Sequence, residues 1–197
     1  MTRKLKREEN YNRLLNVGLN LFNQKGYHGT GIKDIVDEAH LPKGSFYTYF
    51  DSKEVFAGSV VDYFTEQGLQ MIEEAQLKVK NPLEGIRIFF KSYGEHLANS
   101  EFKGGCLLGN LSNELGAQTN QLTPHLVKGL QSMVNRISIH LGEAQKIGMV
   151  RKDLSADVLS DILVNAWEGA LIRAQIQRDS EPINLFLDTY FKVFLLP

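Results

Sequence analysis

Residues 42–54 of this chain read PKGSFYTYFDSKE, and the fold can be worked out from this stretch and the residues on either side of it. Before it, apolar side chains at helical spacing predict a short helix over residues 32–39, which the Leu41-Pro42 pair stops. Residues 44–50 form the next predicted helix. Two short helices joined by a tight turn indicate a helix-turn-helix, the motif whose second helix enters the major groove of DNA.

The second helix of this motif carries the chemistry that DNA recognition needs. Gly44 lets the backbone approach a duplex, and the helix N-terminus offers free N–H groups to a phosphate. Phe46 and Phe50 are four residues apart, so both are predicted to point toward the core. The hydroxyl groups that can donate to phosphates or base edges belong to Ser45, Tyr47, Thr48 and Tyr49. This alternation of roles is typical of a recognition helix.

Helical periodicity extends over the whole chain, so the predicted fold class is all-α, with about nine helices. No strand pattern or hairpin turn competes with the helices. The predicted helices cover residues 8–25, 32–39, 44–50, 53–79, 82–99, 105–116, 124–147, 155–178 and 181 to near the C-terminus.

The distribution of charge along the chain, like the motif, favours DNA binding. The 197 residues include 22 Lys and Arg and 23 Asp and Glu, a formal net charge of −1, and 43% of them are hydrophobic, which excludes disorder by composition. Up to residue 53, nine basic residues face six acidic ones, whereas the remainder has 13 basic and 17 acidic residues. A near-zero total therefore conceals a charge of +3 on the segment with the helix-turn-helix. On charge alone, an ordinary solvated surface is the alternative interpretation.

The single cysteine, Cys106, excludes an intramolecular disulfide and a Cys-based zinc finger, which favours a reducing compartment. No apolar signal region follows the basic N-terminus, and no apolar run is long enough to span a membrane. We therefore expect a cytoplasmic protein that does not enter a membrane. None of the five histidines lies in an HxxxH or HExxH pattern, so we predict no metal and no cofactor.

The residues around the helix-turn-helix resemble the N-terminal signature of the TetR family of transcriptional regulators. The shared pattern is Gly26-Tyr27-x-x-Thr30-Gly31-Ile32-x-x-Ile35, followed by residues 42–54, about a quarter of the chain in all. The resemblance implies an all-helical homodimer that represses transcription from a palindromic operator. It also implies a DNA-binding domain over residues 1–52 and a ligand-sensing and dimerisation domain over residues 53–197.

The resemblance assigns roles to individual residues. Phosphates are expected to be held by Thr30, Tyr47, Thr48, Tyr49 and Lys53, and bases to be approached by Lys43, Gly44 and Ser45. Gly31 departs from the family, which usually has Ser or Thr as the cap of the second helix. Glycine costs little at that position, so the fold is unaffected, but one phosphate-binding hydroxyl is missing.

The last two predicted helices fit dimerisation in such a fold. Small side chains that let a second helix come close are Asn165, Ala166, Gly169, Ala170 and Ala174. A large apolar face is formed by Ile183, Phe186, Leu187, Tyr190, Phe191 and Phe194. A role in the core of a single chain is the alternative for each of them. A two-fold dimer would place its recognition helices about 34 Å apart, which suits a palindrome.

Residues 104–115, GGCLLGNLSNEL, are similar to the electrophile-responsive N-ethylmaleimide reductase repressor subgroup of the family. A thiol in the first turn of a helix, near Lys103, has its thiolate favoured by the helix dipole and the cation, so Cys106 is a candidate sensor. Packing as a small hydrophobe is the alternative. A reversible small-molecule inducer is the other route, and its predicted pocket includes Phe90, Tyr93, His96, Asn110 and Trp167. Such aromatic residues at helical spacing also fit a simple core.

Two other classes of function stay open at this point. A protein of this fold could stay on DNA and recruit a protein partner, and operators scattered outside promoters would favour that alternative. A cysteine-dependent enzyme would need a base close to Cys106, and the sequence offers none that can be recognised. We therefore predict a non-enzyme with no catalytic residues, and turnover assays would test this.

Overall fold

The computed structural model describes residues 3–115 and 121–197. Nine α-helices and no strands lie within these two ranges, as the periodicity predicts. The helices are α1 Arg3–Lys25, α2 Ile32–Glu38, α3 Lys43–Phe46, α4 Lys53–Leu77, α5 Pro82–Asn99, α6 Leu107–Leu115, α7 Thr123–Lys146, α8 Ala156–Gln177 and α9 Glu181–Thr189. A π-helical turn, Tyr190–Phe194, continues α9. No helix in the described residues has the length and apolar character that a membrane span requires.

Local signals explain most helix ends. The side chain of Asn81 accepts hydrogen bonds from the N–H groups of Leu83 and Glu84, which begins α5. Ser155 begins α8 in the same way, through the N–H of Val158. Arg178, with a φ of 53°, ends α8 in the left-handed conformation. These positions were all predicted within one or two residues, because a cap is a local feature of the chain.

Two helix starts differ from the prediction by two residues or more. Helix α1 begins at Arg3 and not near residue 8, because its polar first turns are good helix formers without an apolar periodicity to reveal them. Helix α6 begins at Leu107 and not at 105, because Gly104 and Gly105 have φ values of 106° and 89°. The predicted end of this helix, residue 116, lies outside the described residues.

Helix α3 is shorter than the predicted 44–50. It ends at Phe46 because the N–H groups that follow bond three residues back: Thr48 donates to the carbonyl oxygen of Ser45, and Tyr49 to that of Phe46. Residues 47–49 are therefore turns that continue the helix. The helix-turn-helix itself is present, with Gly31 as the cap of α2.

The chain forms two compact units. The first consists of Met1–Phe64 and Cys106–Gly129, and the second of Thr65–Gly105 and Leu130–Pro197. Helix α6 and the first parts of α4 and α7 thus belong with the helix-turn-helix. The division into functional domains at residue 52 stays a prediction.

An aromatic cluster forms the core of the first unit. Phe46 and Phe50 are 0% and 2% exposed, which confirms that both point inward. Their rings lie 5.3 Å and 4.9 Å from the ring of Phe56 in α4, both in edge-to-face geometry. A Cβ atom at Gly18 of α1 would lie 2.4 Å from the same ring, so the glycine allows α1 to approach α4 closely. Burial of each phenyl ring contributes about 1.5–3 kcal/mol, and this anchors α3 to the unit.

A second aromatic cluster lies in the core of the second unit. The ring of Trp167 in α8 lies 4.9 Å from that of Phe90 in α5 and 5.4 Å from that of Phe186 in α9. The hydroxyl of Tyr190 donates a 2.6 Å hydrogen bond to the carbonyl oxygen of Leu159, which joins α8 to the end of α9. Helices α5, α8 and α9 are therefore held together by ring contacts.

Candidate nucleic-acid interface

The outer side of α3 and of the turns after it presents polar groups and one aromatic ring to solvent. Lys43, Gly44, Tyr47 and Thr48 are exposed, while Ser45 and Tyr49 are half-buried. Tyr47 is 56% exposed, although its ring lies 5.5 Å from the buried ring of Phe46. Because Phe46 and Phe50 anchor the inner side, the hydroxyl-bearing residues between them face outward.

The packing of the described residues does not require a glycine at position 44. A Cβ atom built at this position would meet no heavy atom of the described residues within 4 Å, and its φ is not positive. A glycine in a helix costs roughly 0.5–1 kcal/mol relative to alanine. The approach of Gly44 to DNA stays a prediction.

Two of the predicted phosphate ligands are engaged inside the unit. Thr30 is fully buried, and its hydroxyl lies 2.8 Å from the carbonyl oxygen of Gly26 and 3.3 Å from that of Leu21. The expectation that Thr30 holds a phosphate is therefore not supported, because its side chain faces the protein. The Nζ atom of Lys53 donates to the carbonyl oxygens of Tyr27 and Thr30 at 3.0 and 3.1 Å. The role of Lys53 as a phosphate ligand stays a prediction.

Basic side chains of α1 reach the helix-turn-helix, which the sequence alone does not reveal. The guanidinium of Arg7 lies 5.9 Å from the centre of the Tyr49 ring. Arg13 donates a 3.5 Å hydrogen bond to the carbonyl oxygen of Ala39, at the end of α2. The excess of basic residues near the N-terminus was visible, but only the packing of α1 shows that Arg7 lies beside the turns that follow α3.

Glu114 of α6 binds the turn between α1 and α2. Its two carboxylate oxygens each accept a 2.7 Å hydrogen bond, one from the N–H of Tyr27 and one from the N–H of His28. The pKa of the Tyr27 hydroxyl is raised, first by burial and then by the charges of Glu54 and Glu114. The sequence did not predict this contact of Glu114. Glu114 follows Tyr27 by 87 positions and His28 by 86, and no local pattern spans such a distance.

Cys106 directly precedes α6 and is half-buried. Its carbonyl oxygen accepts the hydrogen bond of the Asn110 N–H at 2.9 Å, so the cysteine stands at the N-terminal end of the helix, one position before its first residue. In the second unit, Lys103 is 2.7 Å from Glu101, with which it forms an exposed ion pair. The role of the thiol stays a prediction.

The predicted ligand residues fall into two groups. In the second unit, Phe90 and Trp167 are 2% and 5% exposed, and the Tyr93 ring lies 5.7 Å from that of Trp167. The Tyr93 hydroxyl donates to the carbonyl oxygen of Gly105 at 3.1 Å. His96, also on α5, is exposed, whereas the rings of Phe90 and Trp167 are buried. Asn110 belongs to the first unit, one turn after Cys106. The pocket therefore stays a prediction.

The prediction that the large apolar face of the last helix forms the dimer contact is wrong for five of its six residues, because these five pack inside the chain. Five of the six are buried: Ile183, Phe186, Leu187, Tyr190 and Phe191. On α8, Ala170 and Ala174 are buried too, whereas Asn165, Ala166 and Gly169 are exposed as a dimer contact requires. The exposed apolar side chains of α8, α9 and the π-helical turn are Val158, Ile162, Ile172, Ile176, Leu185 and Val193, which we call the α8–α9 face.

The α8–α9 face leaves several apolar side chains exposed to solvent. Ile176 is 80% exposed and Val193 is 70% exposed, so both leave large apolar areas in water. Gly169 lies on the same side of α8, and a Cβ atom there would meet none of the described atoms within 4 Å.

No group of three or more His, Cys, Asp or Glu that could hold a metal was found in the part of the chain that the structure describes.

Comparison with known proteins gives consistent results over nearly the whole chain. Residues 14–60 match the family described as bacterial regulatory proteins, tetR family, and residues 82–190 match the tetracyclin repressor-like C-terminal domain. The chain is 34% identical to the HTH-type transcriptional repressor DhaR of Mycobacterium sp. (strain GP1), over 92% of this chain and 90% of DhaR. It is 26% identical to the HTH-type transcriptional repressor NemR of Escherichia coli, over 86% of each chain. The crystal structure of regulatory protein TetR from Rhodobacter sphaeroides superposes with a TM-score of 0.85 at 31% identity, covering 92% of this chain and 96% of that one.

Proposed function

Because this chain belongs to the TetR family of bacterial transcriptional regulators, we propose that it is a homodimeric repressor that binds a palindromic operator through α2 and α3. The observation that carries the proposal is Gly44, a helix glycine that the packing of the described residues does not require. Around it, exposed hydroxyl and basic side chains supply the donors that phosphates and base edges accept. The protein would act in the cytoplasm, where bacterial DNA lies.

In this proposal, DNA is contacted by the side chains on the outer side of α3 and of the turns after it. Lys43, Gly44 and Ser45 approach the bases from the N-terminal end of α3. Tyr47, Thr48 and Tyr49 donate to phosphates, and Lys53 adds its remaining N–H. Because these groups lie on a surface anchored by buried phenylalanines, they are held in place before DNA arrives, which reduces the entropy lost on binding.

The dimer is proposed to form through the α8–α9 face. Symmetric pairing of this face would remove from water the apolar side chains that a single chain leaves exposed. The small residues Ala166 and Gly169 let the two copies of α8 come close. A dimer is required because one short recognition helix makes too few contacts to bind an operator tightly.

Induction is proposed to act by shifting the population away from the DNA-binding conformation. The inducer is either a reversible small molecule or an electrophile or oxidant that modifies Cys106. An adduct on the thiol would add bulk and polarity at the start of α6. The relatives named above are transcriptional regulators, so nothing in the comparisons supports an enzyme or a DNA-bound adaptor, and we propose no catalytic role.

A gel-shift assay with DNA from upstream of its own gene tests the proposed function. We expect a shift that is selective over unrelated DNA of equal length, because base edges are read by α3. The affinity should fall steeply as salt is raised from 50 to 200 mM, since phosphate contacts release counterions. Absence of any selective, salt-sensitive shift, also after selection from a random DNA library, would contradict the proposal.

A further inference from the structure

The turn between α1 and α2, residues 27–30, is held from two sides by groups of opposite charge. On one side, the ammonium of Lys53 donates to the carbonyl oxygens of Tyr27 and Thr30. On the other, the carboxylate of Glu114 accepts from the N–H groups of Tyr27 and His28. A positive charge therefore binds carbonyl oxygens of the turn and a negative charge binds its N–H groups. Such charge-assisted hydrogen bonds are stronger than neutral ones.

The Glu114 contact is a close one. Each oxygen lies 2.7 Å from its donor, so the carboxylate uses both of its atoms on consecutive amides. Gly26, with a φ of 70°, precedes these amides, and a Cβ atom there would lie only 2.6 Å from one of the Glu114 oxygens. A glycine is thus needed at position 26 both for the backbone conformation and for the approach of the carboxylate.

Helix α6 connects this contact to Cys106. The helix is nine residues long, about 13 Å, and it begins immediately after Cys106 and carries Glu114 in its last turn. The turn that Glu114 binds leads through Gly31, the cap of α2, into the helix-turn-helix. A displacement at the start of α6 would therefore be carried by a rigid element to the backbone that precedes α2.

We propose that Glu114 is a positioning residue that couples α6 to the helix-turn-helix, so that the operator-binding conformation requires its contact with the turn. This inference rests on the proposed function. It differs from a stabilising role in one testable respect. Coupling is reciprocal, so DNA bound at α3 must change the surroundings of Cys106 at the far end of α6.

The reactivity of Cys106 reports this coupling. Iodoacetamide alkylates a cysteine when its thiolate displaces iodide and forms a thioether, and Cys106 is the one cysteine of the chain. The initial rate is followed by mass spectrometry with and without a saturating operator fragment, for wild type, Glu114→Gln and Glu114→Ala. Asn113→Ala is the control, because Asn113 is the exposed neighbour on the same helix.

We expect operator DNA to change the alkylation rate of the wild type by about fivefold or more, the usual size of a coupling. In Glu114→Ala the ratio of the two rates should fall to near one, and operator affinity should fall by about tenfold. Glu114→Gln keeps one acceptor oxygen and should lie between the two. Asn113→Ala should behave as the wild type. Thermal unfolding of each variant shows whether it is folded. If Glu114→Ala is unfolded, the comparison of Glu114→Gln with the wild type tests the inference.

The possible failures are distinguishable. If the wild type binds no DNA selectively, the proposed function fails and the inference fails with it. If the wild type binds an operator but its alkylation rate is the same with and without DNA, the inference alone is overturned. The same holds if folded Glu114 variants keep both the wild-type affinity and the wild-type rate ratio.

Discussion

The ammonium nitrogen of Lys53 lies 4.1 Å from the centre of the Tyr27 ring while it donates to the backbone on either side of the same turn. The first residue of α4 thus holds the segment that leads into the helix-turn-helix. Three interactions converge on one cation, and two of them are hydrogen bonds to carbonyl oxygens at the two ends of the turn. The residue therefore has a structural role besides any contact with phosphate.

Replacement of Lys53 by methionine should reduce the free energy of unfolding by about 1–2 kcal/mol, because the hydrogen bonds and the cation–π contact are lost. Urea denaturation of both proteins measures the difference. Lys78→Met is the control, since Lys78 is exposed and directly follows the same helix. Equal stability of Lys53→Met and the control would show that the contacts around Tyr27 contribute nothing.

Replacement of Gly44 by alanine should weaken DNA binding without destabilising the folded protein. Since a Cβ atom there meets no described atom, Gly44→Ala should leave the free energy of unfolding unchanged or raise it by about 0.5–1 kcal/mol. In the proposed complex the added methyl group would face the duplex, so operator affinity should fall by at least about tenfold. Gly142→Ala in α7 is the control, because its Cβ atom would make an ordinary 3.8 Å contact. Wild-type affinity of folded Gly44→Ala would refute the close approach.

An aspartate in the α8–α9 face should convert the dimer into monomers. Ile172→Asp would bury an unpaired charge at the proposed contact, and we expect the dissociation constant to rise by about a hundredfold or more. Analytical ultracentrifugation measures it. Leu77→Asp is the control, because Leu77 is 86% exposed at the end of α4, outside this face. A dimer that survives Ile172→Asp but not Leu77→Asp would place the interface elsewhere.

Acid should remove the stabilisation that Glu73 provides. A hydrogen bond from Arg136 lowers the pKa of Glu73 below its ordinary value of 4.5. A carboxyl whose pKa is lowered in the folded state stabilises it above the unfolded pKa, and that stabilisation is lost as the pH falls through the folded value. Wild type should therefore be more stable than Glu73→Gln at pH 7, and the difference should shrink as the pH falls below 4.5 and through the lowered pKa of the folded protein. Urea denaturation over a series of falling pH values measures this difference, with exposed Glu66→Gln as the control.

Replacement of the thiol should separate the two routes to induction. Cys106→Ser should bind the operator as the wild type does, because the residue lies outside the helix-turn-helix. If the thiol is the sensor, quinones, aldehydes or hypochlorite should release the wild type from DNA but not this variant, as observed by gel shift. Normal release of Cys106→Ser would assign induction to a reversible ligand instead.

Much of the fold could be predicted because its signals are local. Caps such as Ser155 act over three residues, and the i, i+4 spacing of Phe46 and Phe50 places both on one side of a turn whatever else the chain does. The same locality explains why the helix-turn-helix could be read from residues 32–50. The length of α3 was overestimated, because periodicity does not distinguish an α-helix from the turns that extend it.

The candidate interface could be predicted only in part. The exposed side of α3 follows from the buried phenylalanines, but nothing near Thr30 in the sequence shows that its hydroxyl is turned toward Gly26 and Leu21. Periodicity also predicted an apolar face on α9 without showing what covers it. The structure shows that Phe186 and its neighbours are covered by the chain itself, which leaves Leu185 and Val193 exposed.

The sequence by itself determined the all-α class, the position of the helix-turn-helix and the excess of positive charge around it, because backbone geometry and residue type act over a few positions. Only the tertiary structure decided that Glu114 binds the turn at Tyr27 and His28, that Arg7 lies beside Tyr49, and which side of α8 is left in water. These pairings join residues that are far apart in the chain. They depend on how whole helices pack, and no short pattern of residues contains that information.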